Sequence, residues 1–172
     1  MTIEWKSFLL RPVPEPRPLE QFRQYTKRWE RPAAMEPACN FHPWRADTPP
    51  PTHSVPPAVA ARVAARFGED AARRYHDALF RAYFAENRTV SARPVLVDIA
   101  AETGLDPADF DDALTRHGED DQRAVFADYH EAVELGIHAV PAVVVGGRYL
   151  VQGAVEVDDY LRVIDKARTE RE

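Results

Sequence analysis

Apolar residues change their spacing twice along this chain, and each change marks a different kind of element. From Ile3 to Leu10 the pattern opens as an alternation, Ile3 then Trp5, and becomes continuously apolar at Phe8, Leu9 and Leu10, which predicts a strand with at least one buried face. Beyond Pro57 the spacing is helical. Ser54 can cap a helix with Pro56 and Pro57 in its first turn, Val59, Val63 and Phe67 on one face, and Gly68 as its stop. Ala72, Tyr75, Leu79, Ala82 and Tyr83 make the stripe of a second helix from Glu69 to Glu86, widened by Phe80 and Phe84. Ser91 caps a third that carries Val95, Leu96 and Ile99 to Gly104. Asp106 with Pro107 opens a fourth, through Phe110 and Leu114 to Gly118, and another runs from Asp120 to Leu135 and stops at Gly136.

Between the first strand and this block lie most of the fifteen prolines, from Pro12 to Pro57, a density that forbids long helices and favours extended backbone hugging a surface. One short helix interrupts it, with Pro18 in its first turn, Leu19, Phe22, Tyr25 and Trp29 on one side, and an end before Pro32. After Gly136 the pattern turns to strands. Ala142–Val145 and Arg148–Val151 are separated by Gly146 and Gly147, and a two-glycine loop suits the primed turns that match strand twist. Val140-Pro141 stands directly before this hairpin, where a proline without an N–H is tolerated only at the start or edge of a strand. Tyr160, Leu161 and Ile164 then predict a closing helix over Glu156–Arg168. The expected organisation is a strand and proline-rich crossing over 1–53, a helical block over 54–135, and a hairpin with its last helix over 136–172.

At 172 residues the chain can bury a core as one domain. A net charge of −6, with basic residues interleaved among acids, argues against nucleic acid as a partner. No apolar run is long enough to span a bilayer, and no basic region followed by an apolar one opens the chain, so the expected location is the cytoplasm, with no membrane partner. Cys39 is the single cysteine, which rules out a disulfide within the chain. The histidines show no HxxxH or HExxH spacing, and no metal site is expected. His130 and Glu134, four apart on a helix, read as a surface pair.

GIHAVPAVVVGGRYLVQGA, residues 136–154, resembles the C-terminal half of DsbA-family thioredoxin folds: a Val-Pro, a short strand, a tight turn, a second strand, a Gly-Ala and a last helix. HDALFRAYFAENRTVSARPVLVDIAAETGLDPADF resembles the helical insertion of that family and of its relatives, the 2-hydroxychromene-2-carboxylate isomerases and kappa-class glutathione transferases. IEWKSFLLRP resembles their second core strand. The resemblance implies an α/β, thioredoxin-like (DsbA-like) sheet with an all-helical insertion, a cis bond before Pro141, and thiol-disulfide oxidoreduction as the parent activity. It implies that the Val140 backbone pairs with an extended substrate segment, with His138 and Ala139 beside it at the mouth of the site. Substrate-binding positions are therefore expected at His138, Ala139, Val140 and Pro141, and the implied partner is an extended peptide or a small thiol or disulfide.

Family members carry their reactive group on a first core strand and the helix after it, as a Cys-x-x-Cys or, in the glutathione-dependent relatives, a serine. Neither is present here, so no catalytic residue can be carried over and the chain is expected to be inactive by itself. The resemblance thus implies a chain truncated before the second core strand, a unit supplied by another chain as a homodimer or strand donor, or a degenerate sheet closed on itself. Two alternatives stay open: a glutathione-dependent isomerase or transferase, with glutathione as its cofactor where the parent reading needs none, and a non-catalytic binding or assembly module. Cys39 has no neighbouring base or capping helix and reads as incidental. Trp44 is expected to anchor the crossing on the helical block, the Phe80, Tyr83 and Phe84 group to be core, and the acidic run Asp106 to Asp121 to be a solvated face. If the start is truncated, the DNA upstream of Met1 encodes in frame an apolar strand and a Cys or Ser at a helix start; a stop codon directly upstream removes that explanation.

Overall fold

The computed structural model describes residues 2–170, and the chain divides into two compact units: residues 9–126, and residues 1–8 together with 127–172. The first is helical. Its elements are α1 (Leu19–Thr26), α2 (Glu30–Met35), α3 (Val55–Ala65), α4 (Glu69–Phe80), α5 (Arg93–Glu102) and the greater part of α6 (Pro107–Glu134). The second holds the end of α6, the strands β1 (Ala142–Val145) and β2 (Tyr149–Gln152), and α7 (Val157–Thr169).

In the helical unit the stripes meet as their spacing requires. Val63, Tyr75, Ile99, Phe110 and Val125 are buried from α3, α4, α5 and α6. Each such side chain contributes about 1.5–3 kcal/mol by leaving water. The Tyr75 and Phe110 rings lie 5.1 Å apart, and the Tyr75 hydroxyl donates to the Leu96 carbonyl, so the one polar atom of that pair is satisfied. A second cluster forms around Phe22, with Trp44 at 5.2 Å, Trp29 at 6.2 Å and Tyr83 joined through Trp44. Trp44 is 2% exposed and anchors the crossing, its backbone N–H donating to the Thr26 hydroxyl at 2.8 Å. Of the Phe80, Tyr83 and Phe84 group, expected in the core, Phe80 is instead half exposed, while Tyr83 and Phe84 lie against Trp29.

The two serines expected to cap helices through their side chains do something else. Ser54 and Ser91 stand at the starts of α3 and α5 without bonding the helix N–H groups. Their hydroxyls accept from Arg11 N–H and Thr52 N–H, and the Ser54 N–H returns to the Arg11 carbonyl. The proline-rich crossing supplies amides that no ladder or helix satisfies, and the serines take those instead.

Outside the hairpin, three expected elements take another form. The helix expected to end before Pro32 bends through a 3₁₀ turn at Lys27–Trp29, and α2 starts at Glu30, which leaves Pro32 in a first turn where its missing N–H costs nothing. The break expected at Gly118 does not occur; α6 runs through it, because a lone glycine costs a helix only about 1 kcal/mol and no proline or capping residue reinforces the stop. The stretch from Ile3 to Leu10 is not in a sheet. Its Ser7 N–H is given to the Asp128 carboxylate at 3.0 Å, Lys6 pairs with Glu4, Asp128 and Glu131, and among the described residues no strand pairs with it.

The acidic run is mostly solvated, as expected, but its last member turns inward. Asp121, 5% exposed, takes a two-pronged bond from Arg66, with Nε and Nη2 both at 2.9 Å, and Arg62 stands 3.9 Å away. Asp106 instead caps α6 through the Ala108 and Asp109 N–H groups. Asp121→Ala is expected to destabilise the protein by about 2 kcal/mol, discounted from the cost of breaking a fully buried pair because Arg66 stays partly solvated; urea denaturation measures it, and Asp120→Ala is the near-neutral comparison.

Candidate functional site

Helix α6 ends where the candidate residues begin. Gly136 adopts φ +76°, its N–H bonds the Val133 carbonyl, and the Ile137 N–H reaches back to Ala132. This double closure is the Schellman motif, and only glycine takes that φ without crowding its own Cβ. Ile137 follows as the buried residue that usually accompanies the motif, and among the described residues of its unit it is the only buried one. The chain is thereby aimed outward, and His138, Ala139, Val140 and Pro141 are all exposed, Val140 at 48%. The Val140-Pro141 peptide bond is cis.

The hairpin differs from the expected one by a residue. Gly146 and Gly147 have φ +62° and +69° and the Arg148 N–H closes on the Val145 carbonyl, a primed turn as anticipated. The ladder, however, pairs Val145 with Tyr149, Val144 with Leu150, Val143 with Val151 and Ala142 with Gln152. Arg148 is an extra residue outside the pairing, as in a bulge, and its guanidinium goes to Glu170.

That register fixes which way the backbone of β1 points. The Gly153 N–H donates to the Pro141 carbonyl, so the Pro141/Gly153 pair faces inward; by the alternation of an antiparallel ladder Val143 and Val145 also bond β2, while Ala142 and Val144 direct N–H and C=O to the other side. Among the described residues no strand pairs with that side, since the sheet is β1 and β2 alone. The edge carries no charge and no internal proline, the two devices that usually blunt an edge. Val143 and Val144, on opposite faces, are 39% and 38% exposed, and in the same unit Ile3 and Trp5 are 65% and 87% exposed. A two-stranded ribbon of this size is marginal by itself. Chemically, the arrangement offers an extended segment two outward N–H and C=O pairs beside an exposed turn.

The four expected substrate positions, His138 to Pro141, are consecutive and exposed, and the outward backbone groups of Ala142 and Val144, which sequence reasoning missed, follow directly after them. The signal for them was the strand parity, but it could not be used while the turn was one residue short. Cys39 is exposed in the helical unit, at the end of a 3₁₀ turn that the Glu36 carboxylate caps. Among the described residues no three of His, Cys, Asp and Glu gather as a metal site would require, and no helix is long and apolar enough to cross a membrane.

Comparison with known proteins fits this geometry. The DSBA-like thioredoxin domain matches the chain over residues 1–165. An uncharacterised protein of Bacillus subtilis, YwbO, is 28% identical, with 94% of this chain and 80% of that one covered. Among solved structures, the cytosolic disulfide reductase DsbM of Pseudomonas aeruginosa superposes with a TM-score of 0.65 at 24% identity, over 93% of this chain and 77% of that one. A probable DsbA oxidoreductase of Streptomyces coelicolor gives 0.63, also at 24%, over 97% and 75%. At those identities the two structures speak for the fold. If the register described above holds, hydrogen exchange followed by NMR finds the Ala142 and Val144 amides unprotected and those of Val143 and Val145 slowed; equal protection of all four means the outer side is paired.

Proposed function

This chain belongs to the DSBA-like thioredoxin-domain family of thiol-disulfide oxidoreductases, and on that basis we propose that it is a substrate-holding domain that does not complete dithiol chemistry by itself. The observation that carries the reading is the outer side of β1: Ala142 and Val144 present unpaired backbone groups directly after the exposed run His138–Pro141. An extended peptide laid there gains main-chain hydrogen bonds as an added strand, with side-chain contacts at Val140 and His138. A small thiol or disulfide carried on a peptide backbone uses the same groups.

Thiol-disulfide exchange needs a thiolate that attacks one sulfur of a disulfide, forms a mixed disulfide and expels the other sulfur as a thiolate; a second cysteine then resolves the mixed species. With Cys39 as its single cysteine the chain holds no resolving partner, so a mixed disulfide at this thiol is resolved only by a thiol from outside the chain. Its exposed free thiol accords with a reducing compartment, and the cytoplasm is the proposed location, which is also where the name of the Pseudomonas relative places that protein. A second reading, a non-catalytic module that completes its sheet with a strand from another chain, draws support from the exposed Ile3 and Trp5 and from Ile137 being the single buried residue among those described in the hairpin unit.

The test uses a short alternating valine-threonine peptide added to the labelled protein. The Ala142 and Val144 amides are expected to shift, and Val144→Pro, which removes an outward N–H and leaves the β2 ladder whole, abolishes the response. Insulin reduction is expected to remain at background for the parent and for Cys39→Ser alike; turnover that survives Cys39→Ser places the chemistry elsewhere and defeats the reading.

A further inference from the structure

The chain is acidic overall, at −6, yet two guanidiniums, those of Arg17 and Arg28, stand over the Tyr25 ring in the helical unit. Arg17 lies over the Phe22 ring, 3.9 Å from its centroid, and 5.4 Å from that of Tyr25; Arg28 stands at 5.4 Å on the Tyr25 ring as well. Among the described residues neither arginine has a carboxylate within ion-pairing distance, although Arg11, Arg23, Arg66, Arg81, Arg88 and Arg93 each find one. Tyr83 stands beside them. Burial pushes its phenol up, and the Arg17 guanidinium, by charge and hydrogen bonding, pulls it back. Trp44, packed on both Phe22 and Tyr83, keeps a buried indole N–H without an acceptor.

A guanidinium stacked on a ring satisfies its flat face and leaves the N–H fork at its edge, the geometry that takes an oxyanion by two parallel bonds. Arg17 is half-buried, which makes its charge worth more than a solvated one, and Tyr25 is 47% exposed, which leaves the place open to solvent. A bare anion at such a surface gains little; one attached to a flat apolar body also covers the Tyr25 ring.

We propose that Arg17, Arg28 and the exposed face of Tyr25 form a binding site for a small oxyanion carried on a flat apolar body, an aromatic carboxylate or an aryl phosphate. Arg17 gives the anion the N–H groups that its hydrogen bond to Tyr83 leaves over, Arg28 adds the second charge, and Tyr25 stacks on the body. The site requires neither the hairpin edge nor a thiol, so it stands or falls independently of the function proposed above.

Calorimetric titration of the full chain with benzoate, phenyl phosphate and neutral benzamide tests it. One or both anions saturate and benzamide does not; the tighter of the two identifies a carboxylate or a phosphate as the natural group. Arg17→Gln weakens binding by about tenfold or more, the scale of one charge-assisted contact, Arg17→Lys recovers part of the loss, and Arg73→Gln, whose partner is Asp70, leaves it unchanged. Should Arg17→Gln fail to fold by circular dichroism, the exposed Arg28→Gln is read instead and shows a smaller loss in the same direction. Absence of saturation by either anion, binding of benzamide as tight as benzoate, or a parent-like affinity in the folded arginine variant overturns the proposal.

Discussion

Every backbone N–H and C=O that leaves a helix or a ladder has to find another partner, and this requirement organises both units of the chain. In the helical unit the crossing from Pro12 to Pro57 meets it with borrowed side chains: Ser54 and Ser91 hydroxyls take the Arg11 and Thr52 amides, Thr26 takes Trp44, and Asn87 takes Arg45 while giving its own amide to the His42 carbonyl. Prolines reduce the number of donors to be placed. In the hairpin unit the same requirement is met on one side of β1 only, and the side left over is where the candidate site lies.

The two units therefore hold themselves together by different means. The helical unit has a packed interior running from Phe22 and Trp44 to Phe110 and Val125, with its one buried carboxylate, Asp121, tied down by Arg66. The hairpin unit buries Ile137 and otherwise relies on short-range contacts such as the Phe8 and Tyr129 rings at 5.6 Å and the Tyr149 hydroxyl on Glu170. Adding a strand at such an edge supplies main-chain bonds and apolar cover together, which is why recognition by backbone suits this part of the chain.

Much of this could be read from residue order, where each signal had a local cause. Gly136 as a helix stop, the Gly146-Gly147 turn, Asp106 as a cap and the stripes of α3 and α4 depend on neighbours a few positions away, and they appear where periodicity puts them. What failed depended on partners distant in sequence. Ile3 to Leu10 has the composition of a strand but pairs with no strand among the described residues; Ser54 and Ser91 look like caps until the amides of Arg11 and Thr52 arrive; Asp121 looks like one more surface acid until Arg66 turns it inward. The four positions His138–Pro141 came from family resemblance, whereas the outward groups of Ala142 and Val144 needed the register, which the extra residue Arg148 conceals.

The wide turn at the end of α4 has an effect on phase. Arg81–Ala85 is π-helical, with the Glu86 N–H on the Arg81 carbonyl, five residues back. Adjacent side chains on a regular helix diverge by about 100°, yet Tyr83 and Phe84 both meet the Trp29 ring, at 5.3 and 5.0 Å. One residue more per turn slows the rotation enough to let consecutive aromatics serve one neighbour. The length of this segment is accordingly as constrained as its composition: with one residue fewer the turn closes to the ordinary i→i+4 pattern, and Trp29 keeps one of the two rings that now share it.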